Sequence, residues 1–257
     1  MARYEQLHHG GIVGSAVHHF ERTTSTMDEA RAGARARGGE GCGDAYVADE
    51  QTAGRGRFER TWTDAPGASL LVTFHLCVRE IEYLPLAGFA GALAAADAIA
   101  AVSGLKTALK WPNDVLAGGR KLAGILAEAQ ADSTEVDVFL GVGVNIGEAA
   151  IAALSEAERA PATSIEGAGA PPPVVEELLA GLSEQLERRV GQVERDPDSL
   201  LADWRGRLAT LGTRVRLATT DGAVEGEAVD VTAEGLLVLR FDDGGERSFA
   251  AGDVTTL

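Results

Sequence analysis

The chain has 257 residues, 45% of them apolar and 24% charged, and a formal net charge of −16 at pH 7. This length and balance suit one folded domain with room for a small second module, and they exclude a disordered chain or a fibrous repeat. The acidic charge disfavours non-specific binding to nucleic acid or to an anionic membrane, and no charge-free apolar stretch of about 18 residues predicts a membrane span.

The first half of the chain alternates helical and strand-like patterns. Residues 1–22 are too few for an independent DNA-binding domain. An Ala-, Arg- and Glu-rich run predicts a helix over Met27–Arg37, and a long alanine-rich run predicts another over Leu86–Val102. Apolar alternation predicts strands over Ala45–Ala48, Ser69–Val78, Leu105–Trp111, Lys121–Ala129 and Val136–Ile146.

The residue pattern of the second half changes from helical to strand-like after Gly212. Helical spacing predicts helices over Val174–Val190 and Ser199–Thr210. Beyond them, short apolar runs alternate with turn signals such as Gly244-Gly245, which predicts a small β-barrel built from hairpins. We therefore predict an α+β domain over residues 1–210 and a β module over residues 211–257.

The two cysteines, Cys42 and Cys77, form no paired motif. Their number and spacing, together with the lack of an apolar signal peptide, predict a reduced cytoplasmic protein. Two histidine pairs, His8-His9 and His18-His19, are weak metal candidates because no cysteine or carboxylate pattern accompanies them.

An arginine- and glycine-rich run, Gly54-Arg55-Gly56-Arg57, is the strongest chemical signal. Glycines let the backbone approach a ligand closely, and guanidinium groups bind phosphate or carboxylate through two hydrogen bonds. The run favours an anion-binding loop that closes over its ligand. A solvated surface loop explains the composition equally well.

Two further segments place polar groups at strand ends. In Lys110–Asp114 a proline ends the strand, so Asp114 follows at its exit and could bind Mg²⁺ or a substrate donor; a turn that caps the strand is the alternative. Lys121 opens the next strand after Gly118-Gly119. It could balance charge between a phosphate and a carboxylate, or protect an edge strand from aggregation.

Two further features are a strand face that is poor in side chains and a polar pair at the start of a helix. The face of the last predicted strand that carries Gly141, Gly143 and Asn145 is poor in side chains, which is typical of close approach by a ligand or another backbone. Ser25-Thr26 precedes a helix with Glu29 three residues after the threonine, which predicts a capping box.

In this order, the segments resemble the biotin–protein ligase family. The matching pieces are Ser25-Thr26, Gln51 to Trp62, Lys110 to Asp114, Arg120 to Leu126 and Gly141 to Asn145. They cover residues 23–147 densely, and their combination is what makes the resemblance specific. It implies a mixed sheet flanked by helices, as in biotin and lipoate ligases, followed by a small C-terminal SH3-like β-barrel.

The resemblance also implies a two-step reaction that uses ATP and Mg²⁺. Biotin's carboxylate attacks the α-phosphate of ATP, giving biotinyl-5′-AMP and pyrophosphate, and the ε-amine of a lysine on a biotin carboxyl carrier domain then attacks the activated acyl group. A cytoplasmic ligase without nucleic-acid or membrane partners is expected, because the amino terminus lacks the winged helix-turn-helix of bifunctional members. A monomer and a homodimer both stay open.

The family's roles transfer to matching positions of this sequence. The residues implied to hold the ring system of biotin are Ser25, Thr26, Met27 and Gln51. The loop implied to order over biotin and the adenylate is formed by Arg55, Gly56 and Arg57. The residues implied near the nucleotide and Mg²⁺ are Asn113, Asn145 and Asp114, the last as metal ligand. Lys121, close in sequence to Gly124, would contact the biotin carboxylate and the α-phosphate, and would supply catalytic charge with Arg55 and Arg57.

Two positions depart from the family's pattern. Met27 stands where asparagine is common and could weaken a polar contact with biotin, and Glu59 stands where glycine is common and could change the mobility or charge of the loop. The alternatives are a lipoate or octanoate ligase of the same fold, which would show relaxed motifs, and a non-catalytic biotin-sensing module, which would lack Lys121 or the arginines.

Overall fold

The computed structural model describes residues 11–37, 41–78, 84–131, 136–156, 161–220 and 222–257. The strands of its larger sheet are β1 (Val17–Phe20), β2 (Ala45–Ala48), β3 (Ser69–Val78), β4 (Thr107–Lys110), β5 (Asp114–Ala117), β6 (Arg120–Ala131) and β7 (Val136–Asn145). The helices are α1 (Thr26–Ala36), α2 (Leu84–Ser103), α3 (Glu148–Ala152), α4 (Val175–Arg195) and α5 (Pro197–Gly206).

The larger sheet has the strand order β1-β2-β3-β7-β6-β5-β4. Strands β1 and β2 are parallel, and the other neighbours are antiparallel, so the predicted mixed sheet is confirmed. Alternation along β7 sends Val138 and Leu140 into the main core beside α2, and Phe139 into a smaller cluster with Met27 and Ala30 of α1. The sheet therefore lies between α1 on one face and α2 on the other.

Helix α2 is the centre of the main core. Its length and a mean hydropathy of 1.7 over 18 residues would suffice to cross a membrane, but 67% of that window is buried inside the protein. Asp97 on this helix pairs with Arg189 of α4 at 2.8 Å and with Arg207 just after α5. Arg189 is almost fully buried. The ion-pair network therefore connects α2, α4 and the end of α5 at a site that is largely shielded from water.

The C-terminal segment forms a second, five-stranded antiparallel sheet. Its strands are β8 (Arg214–Thr219), β9 (Gly222–Val231), β10 (Leu237–Arg240), β11 (Glu246–Phe249) and β12 (Asp253–Thr256), in the order β11-β10-β9-β8-β12. This confirms the small C-terminal β-barrel module predicted from the turn signals. Trp111, buried at the end of β4, donates from Nε1 to the carbonyl oxygen of Gly235 at 2.9 Å and so joins the two sheets.

Several short elements were not predicted. Strand β1 contains two histidines and lacks apolar alternation, and β5 and β12 have four residues each, too few to show a period. The strand predicted over Leu105–Trp111 is limited to β4, and the last predicted helix ends at Gly206 rather than Thr210. Four residues are too few to show a period, and the ends of an element depend on its neighbours in the fold.

The prediction of unpaired, reduced cysteines is wrong for this structure, in which Cys42 and Cys77 form a disulfide with a Cα separation of 5.6 Å. Strand pairing is the physical reason. Ala45 lies opposite Phe74 in the antiparallel β2–β3 register, and the same register continued by three residues brings Cys42 opposite Cys77. A separation of 35 residues in the sequence conceals this proximity.

Candidate active site

A cavity of about 300 Å³ lies on the α1 face of the larger sheet. Its wall contains every residue that the sequence analysis proposed for the site: Ser25, Thr26, Met27, Gln51, Arg55, Gly56, Arg57, Asn113, Asp114, Lys121, Gly124 and Asn145. The volume is that of a pocket for one small organic ligand. The structure thus brings residues from five separate sequence segments into one concave site.

The amino terminus of α1 supplies a hydrogen-bonding corner of this cavity. Gln51 Oε1 accepts from the Thr26 backbone N–H at 2.8 Å and from the Thr26 hydroxyl at 3.1 Å, and that hydroxyl lies 2.8 Å from the hydroxyl of Thr73 on β3. Ser25 is the N-cap and accepts from the backbone N–H of Met27. These bonds hold Gln51 rigidly, because a buried polar group is costly to leave without a partner.

The capping-box prediction is wrong in its pairing. Ser25, not Thr26, is the N-cap, and the Glu29 carboxylate accepts from the hydroxyl of Thr23 at 2.5 Å. Of the paired histidines, His18 bonds Asp44 at 2.8 Å and His19 bonds Asp49 at 3.0 Å. The pair His8-His9 lies outside the described residues.

Glycines form the floor of the cavity. A Cβ atom at Gly143 would lie 2.7 Å from the indole ring of Trp62, and one at Gly124 would lie 2.9 Å from the same ring. A Cβ atom at Gly141 would lie 3.1 Å from Cε of Met27. The bare strand face predicted from the sequence therefore admits an aromatic ring and a thioether against the sheet, and no larger residue fits beneath them.

The arginine-rich run forms a loop at the rim of the cavity, and backbone hydrogen bonds join the two arms of that loop. The backbone N–H of Trp62 donates to Gly54 at 2.9 Å, and that of Gly56 donates to Arg60 at 2.7 Å. At the loop's turn Phe58 adopts a left-handed conformation (φ 56°) and is half exposed. Such a conformation is uncommon for a bulky residue and marks a strained turn. Glu59 belongs to this turn, and its side chain lies outside what the structure describes.

The charged side chains of the loop have different surroundings. Arg55 pairs with Asp28 of α1 at 2.7 Å, and Arg60 pairs with Asp253 of β12. Burial lowers the pKa of Arg57 from its ordinary value, although Asp253 and Asp114 act in the opposite direction. A guanidinium group that is partly stripped of water near the cavity is a strong anion ligand.

Lys121 and Asp114 form an ion pair across β5 and β6. Lys121 Nζ lies 2.6 Å from Asp114 Oδ1 and 5.7 Å from the centre of the Trp62 ring. The backbone of Lys121 is fixed on both sides, because its N–H donates to Pro161 at 2.6 Å and its carbonyl accepts from Thr163 at 2.8 Å. A lysine held in this way presents its charge to the cavity at a defined position.

The side chains of the two asparagines in the proposed site donate hydrogen bonds to backbone carbonyl groups. Asn113 Nδ2 donates to the carbonyl of Ile125 at 2.6 Å, and Asn145 Nδ2 donates to the carbonyl of Thr163 at 3.0 Å. Their amide nitrogens are thus engaged with neighbouring strands and loops. Both side chains line the cavity and at the same time fix its walls.

The contribution of the C-terminal sheet to this site has no signal in the sequence. Gly252, Asp253 and Val254 line the cavity beside the arginine-rich loop. No motif marks them, because they reach the cavity only through the packing of one sheet on the other. Thr73 was also missed, since it follows the ordinary alternation of β3 and has no sequence signal of its own.

Comparison with known proteins decides the family. Residues 20–145 match the biotin/lipoate A/B protein ligase family, and residues 210–255 match the biotin protein ligase C-terminal domain. The biotin–[acetyl-CoA-carboxylase] ligase of Mycobacterium tuberculosis is 37% identical over 218 residues, which cover 82% of this chain and 78% of that protein. The chain belongs to the biotin protein ligase family.

Two other ligases are similar to the chain, one in sequence and one in fold. The bifunctional ligase/repressor BirA of Bacillus subtilis is 30% identical over 220 residues, and the matched region covers 81% of this chain and 65% of that protein. The structure of the biotin protein ligase from Aquifex aeolicus with biotin and ATP has a TM-score of 0.76 at 22% identity, covering 94% of this chain and 98% of that one. That likeness confirms the predicted fold.

Proposed function

We propose that this ligase binds biotin and ATP in the cavity described above and joins biotin, through biotinyl-5′-AMP, to a lysine of a biotin carboxyl carrier domain. The activity is that of the family: ATP-dependent attachment of biotin to a carboxylase. The observation that carries the assignment of this cavity is that it joins a neutral hydrogen-bonding corner to a cationic wall. We place the reaction in the cytoplasm, because it consumes ATP.

The neutral corner suits the ring system of biotin. Thr26, Gln51 and Thr73 present hydroxyl and amide groups that can exchange hydrogen bonds with a cyclic urea. The Trp62 ring and the Met27 side chain, which lie against the glycine floor, offer an apolar surface to the sulfur ring. Met27 contributes packing at a position where a polar side chain is common, so its contact with biotin is apolar.

The cationic wall suits the reacting groups. Thr73 and Leu126 both pair with Gly141 of β7, so Gly124 lies two strands and two residues from Thr73, about 12 Å away at about 4.8 Å per strand and about 3.3 Å per residue. Lys121 Nζ lies 3.3 Å from the Cβ position of Gly124 and marks the cationic end. A ligand bound at the neutral corner can therefore direct an extended carboxylate chain toward Lys121 and Arg57. Both cations would neutralise the charge that accumulates when a carboxylate approaches the α-phosphate, which is the main barrier to adenylation.

The donor set also fits Mg²⁺ bound together with the phosphates of ATP. Asp114 is a carboxylate on the wall of the cavity, and Mg²⁺ in such sites commonly takes one or two carboxylates in addition to phosphate oxygens and water. When bound, the ion would withdraw charge from the phosphates. Asp114 would exchange its pairing with Lys121 for the ion, which frees the lysine to meet the biotin carboxylate.

Biotin-dependent exchange of pyrophosphate into ATP tests the first step. The purified protein with Mg²⁺ and biotin should exchange label, and lipoate and octanoate in parallel reactions should give at most background exchange. Exchange with lipoate instead of biotin would identify the sister ligase. If the folded protein exchanges with none of the three acids, the proposal of catalysis fails and a sensing module is favoured.

The arginine-rich loop should be less accessible to protease when the cavity is filled. Trypsin cleaves after arginine, and we expect cleavage at residues 55–60 to slow by about 100-fold at ligand concentrations 100 times Kd, provided that cleavage requires the open loop. Biotin with MgATP provides the ligand, and mass spectrometry identifies the cut sites. Cleavage at Arg247, on the exposed β11, is the internal reference. Equal rates of loop cleavage with and without ligand would contradict the proposal that the loop closes over bound biotin and nucleotide.

A further inference from the structure

A second cluster of reactive side chains lies away from the cavity, toward the other end of β3. The sulfur atoms of Cys42 and Cys77 and a ring nitrogen of His75 all lie within 4.8 Å of one another. Thr73 lines the cavity, and Cys77 is four residues further along the strand, about 13 Å away at about 3.3 Å per residue. The cluster is therefore separate from the proposed active site.

Strand pairing adds a carboxylate to this cluster. Asp137 of β7 lies directly opposite Cys77 in the β3–β7 register, on the side away from Cys42. Asp137 Oδ1 is 2.7 Å from Nε2 of His75, and that nitrogen is 3.9 Å from the sulfur of Cys77. Two sulfurs, an imidazole and a carboxylate thus meet on one face of the sheet, supplied by β3, by β7 and by the turn before β2.

His75 is the most telling member of the cluster. Its side chain is fully buried and stacks on Phe139, with ring centres 5.2 Å apart. Nδ1 is buried without a hydrogen-bond partner among the described residues. The other ring nitrogen, Nε2, faces a carboxylate oxygen and a sulfur atom, and it is the atom that the ring presents to a metal.

A neighbouring buried carboxylate does not belong to the cluster. Asp44 lies opposite His75 across the β2–β3 register, but its carboxylate is bonded to His18 at 2.8 Å and to Arg37 at 2.5 Å. Those two partners hold it on the side of β1 and α1. The side chains that converge on His75 Nε2 are those of Cys77 and Asp137.

We propose that Cys42, His75 and Cys77, with Asp137 as fourth ligand, form a zinc site when the cysteines are reduced. Thiolate, imidazole and carboxylate are the ligands of tetrahedral Zn²⁺ in proteins. The disulfide and the metal site use the same two sulfurs and exclude one another. The two cysteines therefore have an oxidised state, which this structure shows, and a reduced state that binds the metal.

The conversion balances with a thiol reductant. Two thiols of the reductant give two electrons and two protons to the Cys42–Cys77 disulfide and become a disulfide themselves. The two cysteine thiols then lose their protons as Zn²⁺ binds, so metal binding releases acid. In a reducing compartment the dithiol state is favoured, which makes the metal-binding form the relevant one there.

Cobalt binding to the full-length protein tests the site without any use of enzyme activity. After reduction and removal of the reductant under nitrogen, the protein should show two free thiols and bind one equivalent of Co²⁺. A thiolate-to-cobalt charge-transfer band and the visible bands of a tetrahedral ion should appear, and Zn²⁺ should abolish both. The oxidised protein should show neither band.

Variants decide which side chains are ligands. Cys42→Ser and Cys77→Ser should each weaken Co²⁺ binding by at least about 100-fold and abolish or halve the charge-transfer band. His18→Asn, which changes a histidine on the adjacent β1 outside the cluster, should bind as the wild type does. The proposal is overturned if reduced wild type gives no thiolate band, if the thiols cannot be freed in the folded protein, or if Cys42→Ser binds normally. Cys42 lies in a turn, so its variant is the one expected to fold without difficulty.

Discussion

Replacing Lys121 with alanine should lower the rate of biotin-dependent pyrophosphate exchange by about 100- to 1,000-fold, the loss seen when one positioned donor to a developing charge is removed. Its ammonium group is 2.6 Å from Asp114, and the residue lines the cavity. Pyrophosphate exchange and the release of biotinyl-5′-AMP, both measured at saturating biotin and ATP, provide the readout.

Two companion variants separate charge from position. Lys121→Arg keeps the charge but replaces a compact ammonium with a planar fork, so it should recover only part of the activity. Lys106→Ala removes an exposed lysine that does not line the cavity and should exchange at the wild-type rate. A Lys121→Ala protein that is folded and exchanges normally would remove the lysine from the mechanism.

Replacing Asp97 with alanine should lower the free energy of unfolding by about 3 kcal/mol, because it removes an ionic partner of the buried Arg189. Asp97 accepts hydrogen bonds from Arg188 at 2.9 Å and Arg189 at 2.8 Å, and it also binds Arg207. Among the described residues, the remaining ionic partner of Arg189 after the change is Asp203. Urea denaturation followed by circular dichroism measures the difference.

The matched control is an equally well-formed pair on the surface. Arg214 binds Asp242 through two hydrogen bonds of 2.8 and 3.0 Å, but the side chain of Asp242 is 80% exposed. Water and salt screen such a pair, so Asp242→Ala should leave the urea midpoint close to that of the wild type. Equal destabilisation by both variants would show that burial is not what makes the Asp97 network important.

The same network predicts a pH dependence. Burial alone would raise the pKa of Asp97, but hydrogen bonds from Arg189 and Arg207 outweigh it and leave that pKa below its ordinary value. The contribution of Asp97 to stability is therefore complete above the unfolded carboxylate pKa of about 3.9 and is lost as the pH falls through the lower folded pKa. The stability gap between wild type and Asp97→Ala should narrow below about pH 4.

The long elements of the fold were predictable because their residues repeat a period. Strand β3 has the predicted bounds, and α2 differs from its predicted range by two residues at the start and one at the end. The order of strands was not predictable, since β7 inserts between β3 and β6 only when the whole sheet forms. The C-terminal module was visible from its turns, but its contact with the cavity was not.

The residues around the cavity were predictable for a different reason. Arg57 and Lys121 belong to motifs whose order along the chain resembles a known family, whereas Asp253 and Thr73 belong to none. The Cys42–Cys77 disulfide was not predictable from the number and spacing of the cysteines, which are 35 residues apart. The β2–β3 register, which follows from both strands once their pairing is known, brings the two cysteines together.

One wall of the cavity comes from the smaller sheet, which follows the larger sheet along the chain. Strand β12 pairs with β8 and carries Asp253, the partner of Arg60, into the rim near the arginine-rich loop. A growing chain that has completed its large sheet but not β12 therefore has an unfinished site. Translation of β12 sets the moment at which the pocket is complete, and a deletion of residues 253–256 acts as a change to the active site.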